Sequence, residues 1–101
     1  MTIETLRDLY VNEIRDLYDA ENEITKALPT MIEMTSSDEL RSAFQEHLHV
    51  TQQQVDRLER VFDMLGEKPK GKKCEGIRGI ISEGENVMDA DAGPSIMDAA
   101  L

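Results

Sequence analysis

Residues 6–31 read LRDLYVNEIRDLYDAENEITKALPTM, and one carboxylate within them decides how the chain is read. Leu6, Tyr10, Leu17, Ile24, Leu28 and Met31 recur at intervals of three, four and seven, the repeat of one α-helical face. Glu21 lies inside that face, between Leu17 and Ile24. A carboxylate on an apolar face is costly unless it is paired, protonated or bound to a metal. A second stripe repeats the anomaly: Leu40, Phe44, His47, Thr51, Gln54, Leu58, Phe62 and Leu65 carry three polar groups in their middle. Two apolar stripes that both turn polar midway point to a polar site between helices.

Size and charge bound the alternatives. The chain has 101 residues, enough for one domain spanning 1–101, and its formal net charge is −10. A domain this small buries a modest share of its surface, so association with another chain would help it. Aromatic residues are scarce and Trp is absent, so the core is read as Leu, Ile, Val, Met and Ala in packed helices. The negative charge weighs against nucleic acid and anionic membranes as partners. Lys68, Lys70, Lys72 and Lys73 are a local exception, read as a solvated loop. The single cysteine, Cys74, allows no intrachain disulfide and offers no cysteine-based zinc site. No apolar run approaches the length of a membrane span, and Met1 to Thr5 lacks a secretory pattern, so a cytoplasmic protein is expected. Six methionines are read as core filler.

The apolar periods predict helices over about 2–34, 37–65 and 74–88, with a fourth starting at 94–101. Thr2 is the expected cap of the first helix, and Pro29 is expected to kink it. Ser36 and Glu39 have the spacing of a capping box, and Gly66 that of a C-terminal cap. The short break between the first two helices implies an antiparallel hairpin. Gly76, Gly79 and Gly84 weaken the third helix or allow close packing there.

Glu46-x-x-His49 has the spacing of a metal-ligand pair, yet its geometry fails inside a bundle. At 100° per residue His49 points roughly 170° from the apolar centre of its helix and Glu46 about 130°. Both are expected to face solvent, where an intermolecular site remains open. His47, Thr51 and Gln54 fall within about 60° of that centre, and Glu13 and Glu21 within about 45° of theirs. Folding the hairpin about residue 35.5 puts Glu21 level with residue 50, between His47 and Gln54. One reading is a hydrogen-bonded polar pair that fixes helix register. The other is a metal site, which would need further carboxylates from elsewhere.

Leu9-Tyr10, Asp16-Leu17-Tyr18-Asp19-Ala20-Glu21, Phe44-Gln45-Glu46-His47-Leu48, Thr51, Gln54 and Val55-Asp56-Arg57-Leu58-Glu59 form an ordered set. Gly66-Glu67-Lys68-Pro69, Lys72-Lys73-Cys74-Glu75-Gly76 and Asp98-Ala99-Ala100-Leu101 continue it. Together they resemble the YciE/YciF family of ferritin-like proteins over nearly the whole chain.

The resemblance implies an all-α fold: an antiparallel helical hairpin plus a shorter third helix, half of a ferritin-like four-helix bundle, completed by oligomerisation. It implies a homodimer or higher homo-oligomer, a link to stress responses, and a di-metal site for Fe or Mn. Glu21 and His47 would bind metal directly, with Gln54 and Glu13 as auxiliary groups. His49 and Val50 stand where the family carries glutamates, so an unmetallated protein is an equal expectation. The first functional expectation is therefore a stress-associated protein with a partly degenerate metal site. The alternative is a non-enzymatic helical oligomerisation or interaction module with a polar core.

Overall fold

The computed structural model describes residues 3–101; the expected Thr2 cap lies outside them. Helix α1, Leu6–Met34, starts from Thr5, whose Oγ1 accepts the Asp8 N–H at 3.0 Å, while the Asp8 carboxylate accepts the Glu4 N–H. These bonds satisfy donors that the first turn leaves free. The helix runs through Pro29, which lacks the N–H that would reach the Thr25 carbonyl.

Helix α2, Asp38–Leu65, is capped by Ser37, which accepts the Leu40 N–H at 3.2 Å. The cap is one residue later than the Ser36–Glu39 spacing suggests, because Ser36 is engaged by Asp98. Gly66 ends α2 with φ of 70°, a left-handed conformation costly for other residues. Helix α3 is Glu75–Met88 and helix α4 is Pro94–Ala100.

Helices α1 and α2 lie antiparallel along a three-four seam. On α1 it comprises Val11, Ile14, Tyr18, Glu21, Thr25, Leu28 and Ile32, all buried or half-buried. On α2 it comprises Phe44, Leu48, Thr51, Val55, Leu58, Phe62 and Leu65. Phe62 is fully enclosed, and the Tyr18 ring meets it edge-on at 5.4 Å between centroids. Such a pair adds about 0.5–1.5 kcal/mol beyond burial. The Tyr18 hydroxyl donates to Glu59. Leu6, Tyr10 and Leu17, expected in the seam, instead stay 81%, 47% and 49% exposed.

The fold does not bear out half a bundle completed by a second copy. All four helices pack within one chain: α2 and α3 against α1, and α4 against α3. Two anchors explain this. Residues 67–74 run back along α1, where the Lys72 N–H donates to the Arg15 carbonyl at 3.1 Å and the Cys74 N–H to Asp19 at 2.7 Å. Asp98 in α4 accepts three hydrogen bonds from Ser36 and Ser37 at the α1–α2 connection. Those bonds hold its carboxyl below the usual range. Met97 beside it is buried.

The glycines of α3 do not serve close packing: a Cβ at Gly76, Gly79 or Gly84 would meet nothing within 4 Å. The close approach is at Gly71, where a Cβ would lie 3.2 Å from the Asp19 Cβ. Gly79→Ala is therefore expected to raise stability by about 0.5–1 kcal/mol. Gly71→Ala should lower it by about 1 kcal/mol or more, because the backbone of α1 cannot yield. Thermal unfolding of the two variants, read by circular dichroism, checks the opposite signs.

Candidate functional site

Glu21 lies where the seam opens toward solvent. A cleft of about 230 Å³ is lined by Leu17 and Glu21 of α1 and by Gln54, Arg57, Leu58 and Val61 of α2. Amide orientation follows from hydrogen bonding. With its nitrogen toward α1, the Gln54 side chain donates to both Glu21 carboxylate oxygens, at 3.1 and 3.2 Å. The antiparallel pairing thus puts Glu21 level with residue 54, one helical turn past the expected position near 50. A single amide reaching both oxygens leaves much of the carboxylate's hydrogen-bonding capacity unused.

Burial pushes the Glu21 carboxyl above its ordinary value of 4.5, and the nearby His47 opposes that shift. The Gln54 amide also favours the charged form. His47 itself is exposed and has no hydrogen bond among the described residues, because Leu48 takes the place in the seam expected for it. Thr51, one turn from Gln54, is fully buried, yet its hydroxyl has no partner among the described residues. Glu13 lies two turns from Glu21, about 12 Å along the axis. It is exposed and lines a separate cleft with Leu6, Arg7, Leu9, Tyr10 and Leu65. Glu46 and His49 are both exposed, His49 within reach of Gln53 at 3.3 Å.

The sequence-derived candidates therefore do not converge. Glu21 and Gln54 touch, His47 acts on Glu21 only through its charge, and Glu13 stands apart. Among the described residues, no three His, Cys, Asp or Glu side chains come close enough to hold a metal ion. A dinuclear Fe or Mn centre calls for several carboxylates and imidazoles around one point. One carboxylate, one amide and a buried hydroxyl do not fit that requirement.

A second polar cluster on α1 was not read from the sequence. The Asp19 carboxylate accepts from the Cys74 N–H, from Arg78 Nε at 3.1 Å and from Arg78 Nη2 at 2.7 Å. Arg78 also lies 3.2 Å from Glu23. The Arg78 hydrogen bonds hold the Asp19 carboxyl below the usual range, against the effect of burial. No periodicity reveals this pairing, because Asp19 and Arg78 are 59 residues apart and lie off both apolar stripes. Arg57, at the lip of the Glu21 cleft, was missed for the same reason.

Comparison with known proteins agrees with this architecture. The family described as "Domain of unknown function (DUF892)" matches residues 5–101. Protein YciF of Escherichia coli (strain K12) is 32% identical over 102 residues, covering 100% of this chain and 61% of YciF. The solved structure of YcfI from Rhodopseudomonas palustris superposes with a TM-score of 0.91 at 43% identity, covering 97% of this chain and 62% of that one. The crystal structure of the E. coli stress protein YciF gives 0.88 at 32% identity, covering 98% and 63%. The chain thus spans about three-fifths of the length of these relatives. Among the described residues, no helix is long and apolar enough to cross a membrane. Its ordered motifs, its helical architecture and a family match over nearly its full length together show that the chain belongs to the DUF892 family, the YciF-type ferritin-like proteins.

Proposed function

We propose that the chain is a non-enzymatic helical interaction module of the stress response, working through the exposed side of its α1–α2 hairpin. The observation that carries this reading is the composition of that side. Leu6, Leu9, Tyr10 and Leu17 are large apolar residues exposed along α1. The hydrogen-bonded Glu21–Gln54 pair interrupts the strip. A row of exposed apolar side chains with an internal polar pair suits a helical partner: the row supplies burial, and the pair penalises docking in the wrong register. The stress context comes from the description of E. coli YciF as a stress protein.

The partner in this reading is a second copy of the chain, so that association joins units whose four helices already pack within one chain. The Fe or Mn reading would require Glu21 and His47 to be supplemented by donors from outside the described residues. Gln54 and Glu13 would keep only auxiliary roles in it.

Two variants test the proposal. Leu6→Glu combined with Leu17→Glu puts charge on exposed positions and should dissociate assemblies seen by sedimentation at micromolar concentration. An unchanged mass for the double variant would sink the reading. Glu21→Gln should leave assembly and stability at pH 7 within about 1 kcal/mol of the parent chain, because an amide can still pair with Gln54. The pH dependence has a definite sign. A carboxyl raised above 4.5 in the folded chain contributes most stability below that value and loses it as pH rises through the folded pKa. Glu21→Gln should flatten that fall in urea titrations between pH 4 and 7. Stoichiometric Fe(II) or Mn(II) binding that Glu21→Gln abolishes would replace the module with a metal protein.

A further inference from the structure

The segment between α2 and α3 is a held strap bearing the one concentration of lysines on a chain of net charge −10. Residues 67–74 run without turn or bend. They are fixed to α1 by the Lys72–Arg15 backbone hydrogen bond and the Cys74–Asp19 bond, and Arg15 pairs with Glu67 at 3.4 Å. Gly71 presents its Cα to Asp19. Lys68, Lys70 and Lys72 flank this approach along the strap. All three are exposed, and none forms an ion pair among the described residues. Among the described residues Lys73 pairs with Glu75, at 3.4 Å.

The other end of α3 carries the opposite charge. Glu83, Glu85, Asp89 and Asp91 are exposed and form no ion pair among the described residues. The last turn of α3 has no basic residue. This order opposes the helix dipole, which favours anions at the N-terminus and cations at the C-terminus. Only Glu75 in the first turn follows it. Along the axis Glu83 lies about 12 Å and Asp89 about 21 Å from Glu75 at the start of α3, so the two groups do not pair within one chain.

We propose that the strap of one molecule docks on the acidic end of α3 in a second copy, in a head-to-tail contact separate from the α1–α2 face. Charge complementarity selects this occupant: the same chain supplies an unpaired cationic strip and an unpaired anionic end, each worsening the dipole of α3 until the other sign arrives. The contact is heterologous, so it propagates into rings or short linear assemblies. Its interactions lie at the surface, so it weakens as added salt shortens the screening length.

Charge reversal in the full chain tests the contact by sedimentation velocity at 50 mM and 300 mM salt. One variant carries Lys68→Glu, Lys70→Glu and Lys72→Glu; the other carries Glu83→Lys, Glu85→Lys and Asp89→Lys. Each alone should weaken the low-salt head-to-tail association at least about ten-fold. An equimolar mixture should restore it, because every strap then faces an end of opposite charge. Neither variant alters the α1–α2 face, so failure of that face would leave this result readable. If circular dichroism shows either triple variant unfolded, the corresponding Lys→Gln or Glu→Gln and Asp→Asn set replaces it and must still weaken association. Absent or salt-insensitive association of the parent chain, or failure of the mixture to recover, overturns the proposal. Binding of the strap to a polyphosphate probe, lost in the strap variant without any self-association of the parent chain, would do so in favour of a polyanionic ligand.

Discussion

The structure depends on the carboxylate of Asp19. Helix α3 has 14 residues and contains Gly76, Gly79 and Gly84, so it is too short and too glycine-rich to persist in isolation. It exists because Asp19 receives the Cys74 N–H and the Arg78 guanidinium, while Gly71 lets the strap lie against α1. Charge-assisted hydrogen bonds of this kind are stronger than neutral ones and fix direction as well as distance. Asp19 and Glu21 are two residues apart, about 200° around the helix. Anchoring α3 at Asp19 therefore places it on the side of α1 opposite Glu21. The same interaction that docks α3 on α1 leaves the Glu21 side of the hairpin open.

That geometry explains the two fates of polar groups along α1. Asp19 is held by a guanidinium and a backbone donor, and its charge is stabilised. Glu21 has one amide against it, with His47 acting only through its charge, and burial disfavours its charged form. The first carboxylate is a fastening. The second sits in an apolar cleft with spare hydrogen-bonding capacity, a group better suited to an interface than to a closed core.

Much of the helical content is written in local pattern, but the choice of buried side is not. Leu6, Leu9, Tyr10, Val11, Ile14 and Leu17 cover a wide apolar arc of α1. Periodicity alone could not show that Val11 and Ile14 face α2 while Leu6, Tyr10 and Leu17 remain exposed. On α2 the same ambiguity exchanged His47 for its neighbour Leu48. Glu21 and Gln54 were legible as a facing pair because both interrupt apolar stripes. The pairing lies one turn beyond the level that a symmetrical fold about residue 35.5 implies. Asp19–Arg78 and Asp98–Ser36 are long-range pairs between exposed-looking polar groups, which leave no periodic trace. Those two anchors decide that the third and fourth helices return to the hairpin, against the half-bundle that the family resemblance implies.

The account is tested most directly by amide hydrogen exchange on Asp19→Ala, compared residue by residue with the parent chain. Alanine keeps the Cβ against Gly71 and removes only the carboxylate. If Asp19 is the fastening of the fold, protection of residues 74–88 should fall at least about ten-fold, while residues 11–28 and 44–62 keep theirs. Unchanged protection in α3, or an equal loss throughout the hairpin, would contradict the claim that one carboxylate both docks the third helix and leaves the opposite face exposed.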